Sequence, residues 1–171
     1  MRVRRAFAIL LVIAAGCGGN AGSGPAPGDY FGQLQRVSEN AHIQERGLRR
    51  DLRIRLDEAP PGEDRMTVLT VFIDQSAGLY RDVVDALGQL DPPPELATPQ
   101  RAYREAWRSQ LELVIAVRDA GFAGPMRILT ELGRPAFRDA GNETKARCED
   151  LQAAVEASGS NVDLACDGRP A

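Results

Sequence analysis

The sequence holds one histidine, three cysteines and, among 21 basic residues, a single lysine, Lys145. The lone histidine, His42, removes most metal and nucleophile chemistry. Glu39-x-x-His42 is half of a di-iron carboxylate site in a helical bundle, and the second Glu-x-x-His that such a site needs is missing. There is no CxxC redox pair and no CxxCH haem attachment. Ser38 stands four residues from His42, but no Gly-x-Ser-x-Gly elbow surrounds any serine. A haem held by methionine and histidine would need His42 beside Met66 or Met126, and nothing in the spacing joins them. Paired carboxylates suit glycoside hydrolysis only in a cleft, and a compact bundle is a poor host for one. The expectation is a chain that is not an enzyme and holds no metal and no cofactor. Long apolar runs are lacking too. The stretch from Ala6 to Ala15 is about ten residues, against the roughly 20 that a membrane-spanning helix needs. No alternating run is long enough for a sheet, and no repeat at a fixed period is visible. The scarcity of lysine reads as genome composition and carries no functional weight.

What is present begins with an export pattern. Met1-Arg2-Val3-Arg4-Arg5 is basic, the following run is apolar, and small residues lead to Gly16-Cys17. The segment Ile13-Ala14-Ala15-Gly16-Cys17 resembles the lipobox of bacterial lipoprotein precursors, with Ala14 where leucine is commonest in that family. The resemblance implies removal of residues 1–16, diacylglycerol on the Cys17 sulfur and usually a further acyl chain on the new amino terminus. More than one chain is what firm anchoring requires. An ordinary secreted protein with an incidental Cys17 is the alternative. Residues 17–28, rich in Gly, Ser, Pro and Ala, read as a flexible tether reaching roughly 18 Å. If Cys17 carries lipid, Cys148 and Cys166 remain as an even pair outside the cytoplasm, which favours a disulfide over two free thiols.

Residues 29–171 are one domain's worth of chain. Loss of Arg2, Arg4 and Arg5 leaves 18 basic residues against 24 acidic, a net charge of −6, which argues against nucleic acid as a partner. Apolar residues at Tyr30, Leu34, Val37, Ala41, Leu48, Leu52 and Leu56 keep a helix period after a cap at Asp29. A second helix runs from Met66 to Leu90, its stretch 68–73 β-branched enough to suggest a strand but unbroken in period. Thr98-Pro99 caps a third helix reaching Ala120. Residues 125–132 form a short helix, and a fourth long helix carries Phe137, Ala140, Cys148, Leu151 and Val155 to Ser158-Gly159. Short Pro/Gly turns favour antiparallel neighbours. The predicted fold is all-α: an up-down bundle of four long helices plus a short one, its C-terminal tail tied back by the Cys148–Cys166 bond. The body also resembles a set of helical-bundle envelope lipoproteins of high-GC bacteria. Tyr30-Phe31, Pro92-Pro93-Pro94-Glu95-Leu96 and Cys148…Leu151-Gln152…Asp163-Leu164…Cys166 carry that resemblance, which implies an architecture and no activity.

Three surface features are candidates for function. Glu39, His42 and Glu45 are expected to face solvent. Arg46, Arg49, Arg50 and Arg53 form a basic stripe on the first helix that suits anionic headgroups. Trp107, Leu111 and Val114 widen the apolar face of the third helix. They are covered either by Met126, Ile128 and Leu129 or by a partner. The resulting expectation is a non-catalytic envelope module, held to a membrane through Cys17, that meets a protein or an envelope polymer. The alternative is a small-ligand or metal-binding module using the bundle interior. A cavity with converging polar groups would favour the second, and an exposed apolar or charged face the first.

Overall fold

The computed structural model describes residues 27–60, 63–121 and 124–167. The described residues contain five helices and no strand: α1 (Pro27–Glu58), α2 (Glu63–Gln89), α3 (Ala97–Asp119), α4 (Pro125–Leu132) and α5 (Pro135–Ala157). The expected leader, Cys17 and the tether up to residue 26 lie outside the described residues.

Helix starts differ from the expected ones. Proline has no N–H to lose in a first turn, so α1 begins at Pro27, and Asp29 falls within that turn instead of capping it. The cap of α3 is Leu96 rather than Thr98, with no side-chain capping bond. Leu96 is held by its own N–H donating to the Pro93 carbonyl and by complete burial. Pro99 is tolerated because first-turn amides have no intrahelical acceptor. Residues 68–73 are helical: Leu69 and Ile73, four apart, are buried, while Val71 between them is exposed. That spacing fits a 3.6-residue period and not an alternating strand.

The core follows the helix order: α1 packs on α2, α2 on α3 and α3 on α5, with α4 lying against α2 and α3. Leu34, Leu69, Leu87, Leu96, Tyr103, Trp107, Leu151, Val155 and Leu164 are among its fully enclosed side chains. Gly88 admits a close approach, since a Cβ there would lie 2.5 Å from Arg104 Nη2. The Arg104 guanidinium crosses α2 at that point and donates to the Val84 carbonyl.

The chain after α5 is part of the core. Gly159, at φ +84, ends the helix. The amides of Gly159 and Ser160 return to the carbonyls of Glu156 and Val155, the paired bonds of a Schellman stop. Gln152 then clasps the tail, donating to the Val162 carbonyl and accepting from the Leu164 amide. Asp163 accepts the Ala165 amide at 2.7 Å and turns the chain. Cys166 bonds to Cys148 across a Cα separation of 5.6 Å. Leu164, fully buried, sits under Ser38 of α1, whose hydroxyl donates to the Leu164 carbonyl at 2.7 Å.

Candidate functional site

The polar groups that the helices enclose converge on one region. Ser38 and His42 lie four residues apart on α1, which places both on one helix face. Both are buried, and Glu39 and Glu45 are half-buried, so His42 does not face solvent as expected and its two flanking carboxylates do so only in part. His42 enters the core because the aromatic side chains of α2 and α3 surround it. Its ring centroid lies 5.8 Å from that of Trp107, which also packs on Tyr80 at 5.3 Å and Tyr103 at 6.2 Å. The Tyr103 hydroxyl stands between His42 Nε2, at 3.2 Å, and Ser38 Oγ, at 3.1 Å.

Counting protons gives this chain a direction. Ser38 has one hydroxyl hydrogen, and the Leu164 carbonyl can only accept it. Tyr103 must therefore donate to Ser38, and His42 must donate to Tyr103 through an Nε2–H. That leaves Nδ1 as an acceptor on the neutral ring. Desolvation pulls the His42 pKa below its ordinary 6.5, assisted by Arg46 and opposed by Glu45 and Asp167. Burial pushes the Tyr103 phenol up to about 12, against the opposing pull of Ser38 and Trp107. Trp107 Nε1 is close enough to affect Tyr103, yet it has no partner at hydrogen-bonding geometry.

Beside this chain opens a cleft of about 720 Å³, lined by α1 to α5 and by the tail. That volume falls within the usual range for small-molecule sites. One set of lining groups is polar. Tyr80 donates to Glu45 Oε1 at 3.1 Å, and Arg49 donates to the same oxygen at 2.7 Å. Burial raises the Tyr80 phenol well above its ordinary value. Gln110 of α3 donates to Thr144 of α5 at 2.7 Å, and Thr144 donates to the Ala140 carbonyl. His42, Ser76 and Gln110 are buried members of the lining. A second set is apolar: Leu52, Phe72, Val114, Leu129, Leu132 and Phe137. Cys166 and Asp167 bring the tail into the wall.

The structure divides the residues singled out from sequence. Arg46 and Arg49 line the cleft, while Arg50 and Arg53 stand exposed on α1 and do not. Trp107 is no partner patch: it is wholly enclosed, Val114 is buried beside it, and Leu111 is half-buried against the core. The cover differs as well, since Ile128 is buried and Leu129 half-buried while Met126 points outward at 69% exposure. Cys148 and Cys166 are bonded to each other. The cleft, with Gln110, Thr144 and Tyr80, was not foreseen. Its signal in the sequence was a glutamine and a threonine set into apolar helix faces.

Ser38 is separated from His42 by Tyr103, and its proton is committed to a carbonyl, so the imidazole cannot activate it. Glu45, the carboxylate that acts most strongly on His42, is occupied by Tyr80 and Arg49. Among the described residues no cluster of three His, Cys, Asp or Glu side chains is placed to hold a metal ion, and no helix is long and apolar enough to cross a membrane. No family model, curated protein or solved structure was found to match the chain.

Proposed function

We propose that this protein is a lipid-anchored module of the bacterial cell envelope that holds a small ligand in the cleft between its helices and catalyses no reaction. The cleft carries this reading: it offers about 720 Å³ with buried polar groups from four helices converging on it. A protein whose purpose was to present a flat face would have no need of such a space. The competing reading, a face for a protein or an envelope polymer, loses its aromatic anchor with the burial of Trp107.

The anchor rests on the lipobox-like Ile13–Cys17 segment and on cysteine parity. With Cys148 and Cys166 joined, Cys17 is the one thiol left for lipid. The body would then sit on the extracytoplasmic side of a membrane, a short tether away. An up-down order of the long helices is part of the same proposal, supported by the packing of consecutive helices across short connections.

Gly141 supplies the test. It lines the cleft, and a Cβ there would meet no atom within 4 Å, so Gly141→Phe fills space without displacing core. Wild type and Gly141→Phe are purified from the same envelopes and their bound small molecules identified by mass spectrometry. A molecule held by wild type and lost from the variant supports the proposal. Identical or empty inventories from two equally stable proteins overturn it.

A further inference from the structure

Apart from Arg134 and Arg138, which pair with Glu131 and Asp139 beside Phe137, the lining of the cleft runs from a polar end to an apolar one. Tyr80 and Glu45 meet at the polar end, as do Gln110 and Thr144. Leu52 lies seven residues beyond Glu45 on α1, and Phe72 lies eight before Tyr80 on α2. On α5, Phe137 lies seven before Thr144. At 1.5 Å per residue each helix carries its apolar lining residue roughly 10 Å from its polar one. A ligand filling this space therefore needs a polar group at one end and an apolar body on the order of 10 Å long.

The charges at the polar end specify the polar group. Arg46, Arg49 and Lys145 line the cleft there, as do the carboxylates of Glu45 and Asp167. Glu45 is already satisfied by Arg49 and Tyr80. Lys145 is bonded to Glu149, one turn further along α5 and outside the cleft. Both partners of that pair are half exposed, and such pairs contribute little. Lys145 can thus turn to a better acceptor at small cost. Arg46, one turn on from His42 along α1 and exposed in the lining, contributes a second cation on a protein whose whole charge is negative. A neutral headgroup would leave these two cations without any added partner, and a cationic one would be repelled.

We infer that the cleft takes an acidic amphiphile, a free single-chain molecule with its anionic head at Arg46 and Lys145 and its apolar chain against Phe72, Leu132 and Phe137. This rests on the reading of the cleft as a ligand site. In that pose the headgroup gains charge-assisted hydrogen bonds, the strong kind. Gln110 and the unprotonated Nδ1 of His42 can recognise any donor group beside it.

The test uses the full lipidated protein in lipid nanodiscs and two photoreactive probes of equal length, a long-chain carboxylate and the matching long-chain alcohol. Cross-linked peptides are mapped by mass spectrometry. The carboxylate is expected to label the segment spanning Leu129 to Lys145 at least several-fold more than the alcohol. Arg46→Gln with Lys145→Gln should erase that preference and leave the alcohol's labelling unchanged. Equal labelling of this segment by both probes overturns the acidic headgroup but leaves the ligand cleft standing. Absence of labelling there by either probe, with other surface peptides labelled, overturns the cleft reading itself.

Discussion

His42 shows at single-residue scale how a polar side chain becomes part of a core. Reading Glu39 opposite Leu34 as placing the whole segment outside was the error, because His42, eight residues on from Leu34 and next to Ala41, falls on the buried stripe of α1. α3 completes the burial with Tyr103 as a hydrogen-bond partner and Trp107 as a ring to lie against, and these partners are what α1 alone does not reveal. The consequence for pH has a definite sign. The ring stays neutral in the folded protein below the 6.5 at which an unfolded histidine takes its proton, so the unfolded state binds more protons there. Stability is therefore full above that value, is lost as pH falls through it, and levels off beneath the lowered folded value. Glu45 and Asp167 moderate the effect, Arg46 adds to it, and Tyr103 stays neutral throughout. Urea midpoints measured from about pH 7.5 to pH 5 should fall more steeply for wild type than for His42→Gln. Parallel slopes would show that His42 does not titrate this way. Tyr103→Phe leaves His42 Nε2–H without its acceptor and Ser38 without its donor, so it should cost about 1–3 kcal/mol in the same assay.

At the scale of elements, the helices were legible and their first turns less so. Apolar spacing located all five helices, because each buries one stripe and is punctuated by proline or glycine. Caps were misread at Asp29 and Thr98, where a proline at the first position and a buried Leu96 decide the start instead. The tail was legible only as a disulfide. Its bonds from Ser38 and to Gln152 depend on long-range geometry and leave no periodic trace. They also alter what the disulfide has to do. The bridge spans a sequence separation of 18 and is worth about 3 kcal/mol in the chain-entropy model, while Leu164 is fully buried on its own account. Leu164→Ala should cost about 2–5 kcal/mol, as much as losing the bridge. Cys148→Ala with Cys166→Ala should keep the helical circular dichroism, melt several degrees lower and expose residues 160–167 to protease. Loss of the helical signal at room temperature would mean that the bridge organises the whole bundle.

At the scale of the whole molecule the proposal is a lipid anchor at one end and a ligand cleft in the body, the first resting on a local sequence motif and the second on packing alone. The lipobox-like segment is contiguous, so a reader of sequence can find it. The cleft is built from single residues on five helices and a tail, with the short α4 against part of α2 and α3, and only packing assembles it. A compact bundle was the natural expectation, and the gap it contains left as its trace only Gln110 and Thr144, polar residues on apolar helix faces. The anchor makes its own prediction. Cys17→Ser should leave an unprocessed or fully soluble protein, read by fractionation and intact mass, and a variant still processed and membrane-bound like wild type would contradict it.

The central claim is that the cleft is occupied in the living envelope. A crystal structure of the protein purified from its own membranes tests this most directly. The account predicts density for a bound molecule in the cleft, its polar group within hydrogen-bonding distance of Arg46, Gln110 or Lys145 and its apolar part against Phe72 and Phe137. A cleft closed by its own side chains, or holding ordered water alone, would contradict it.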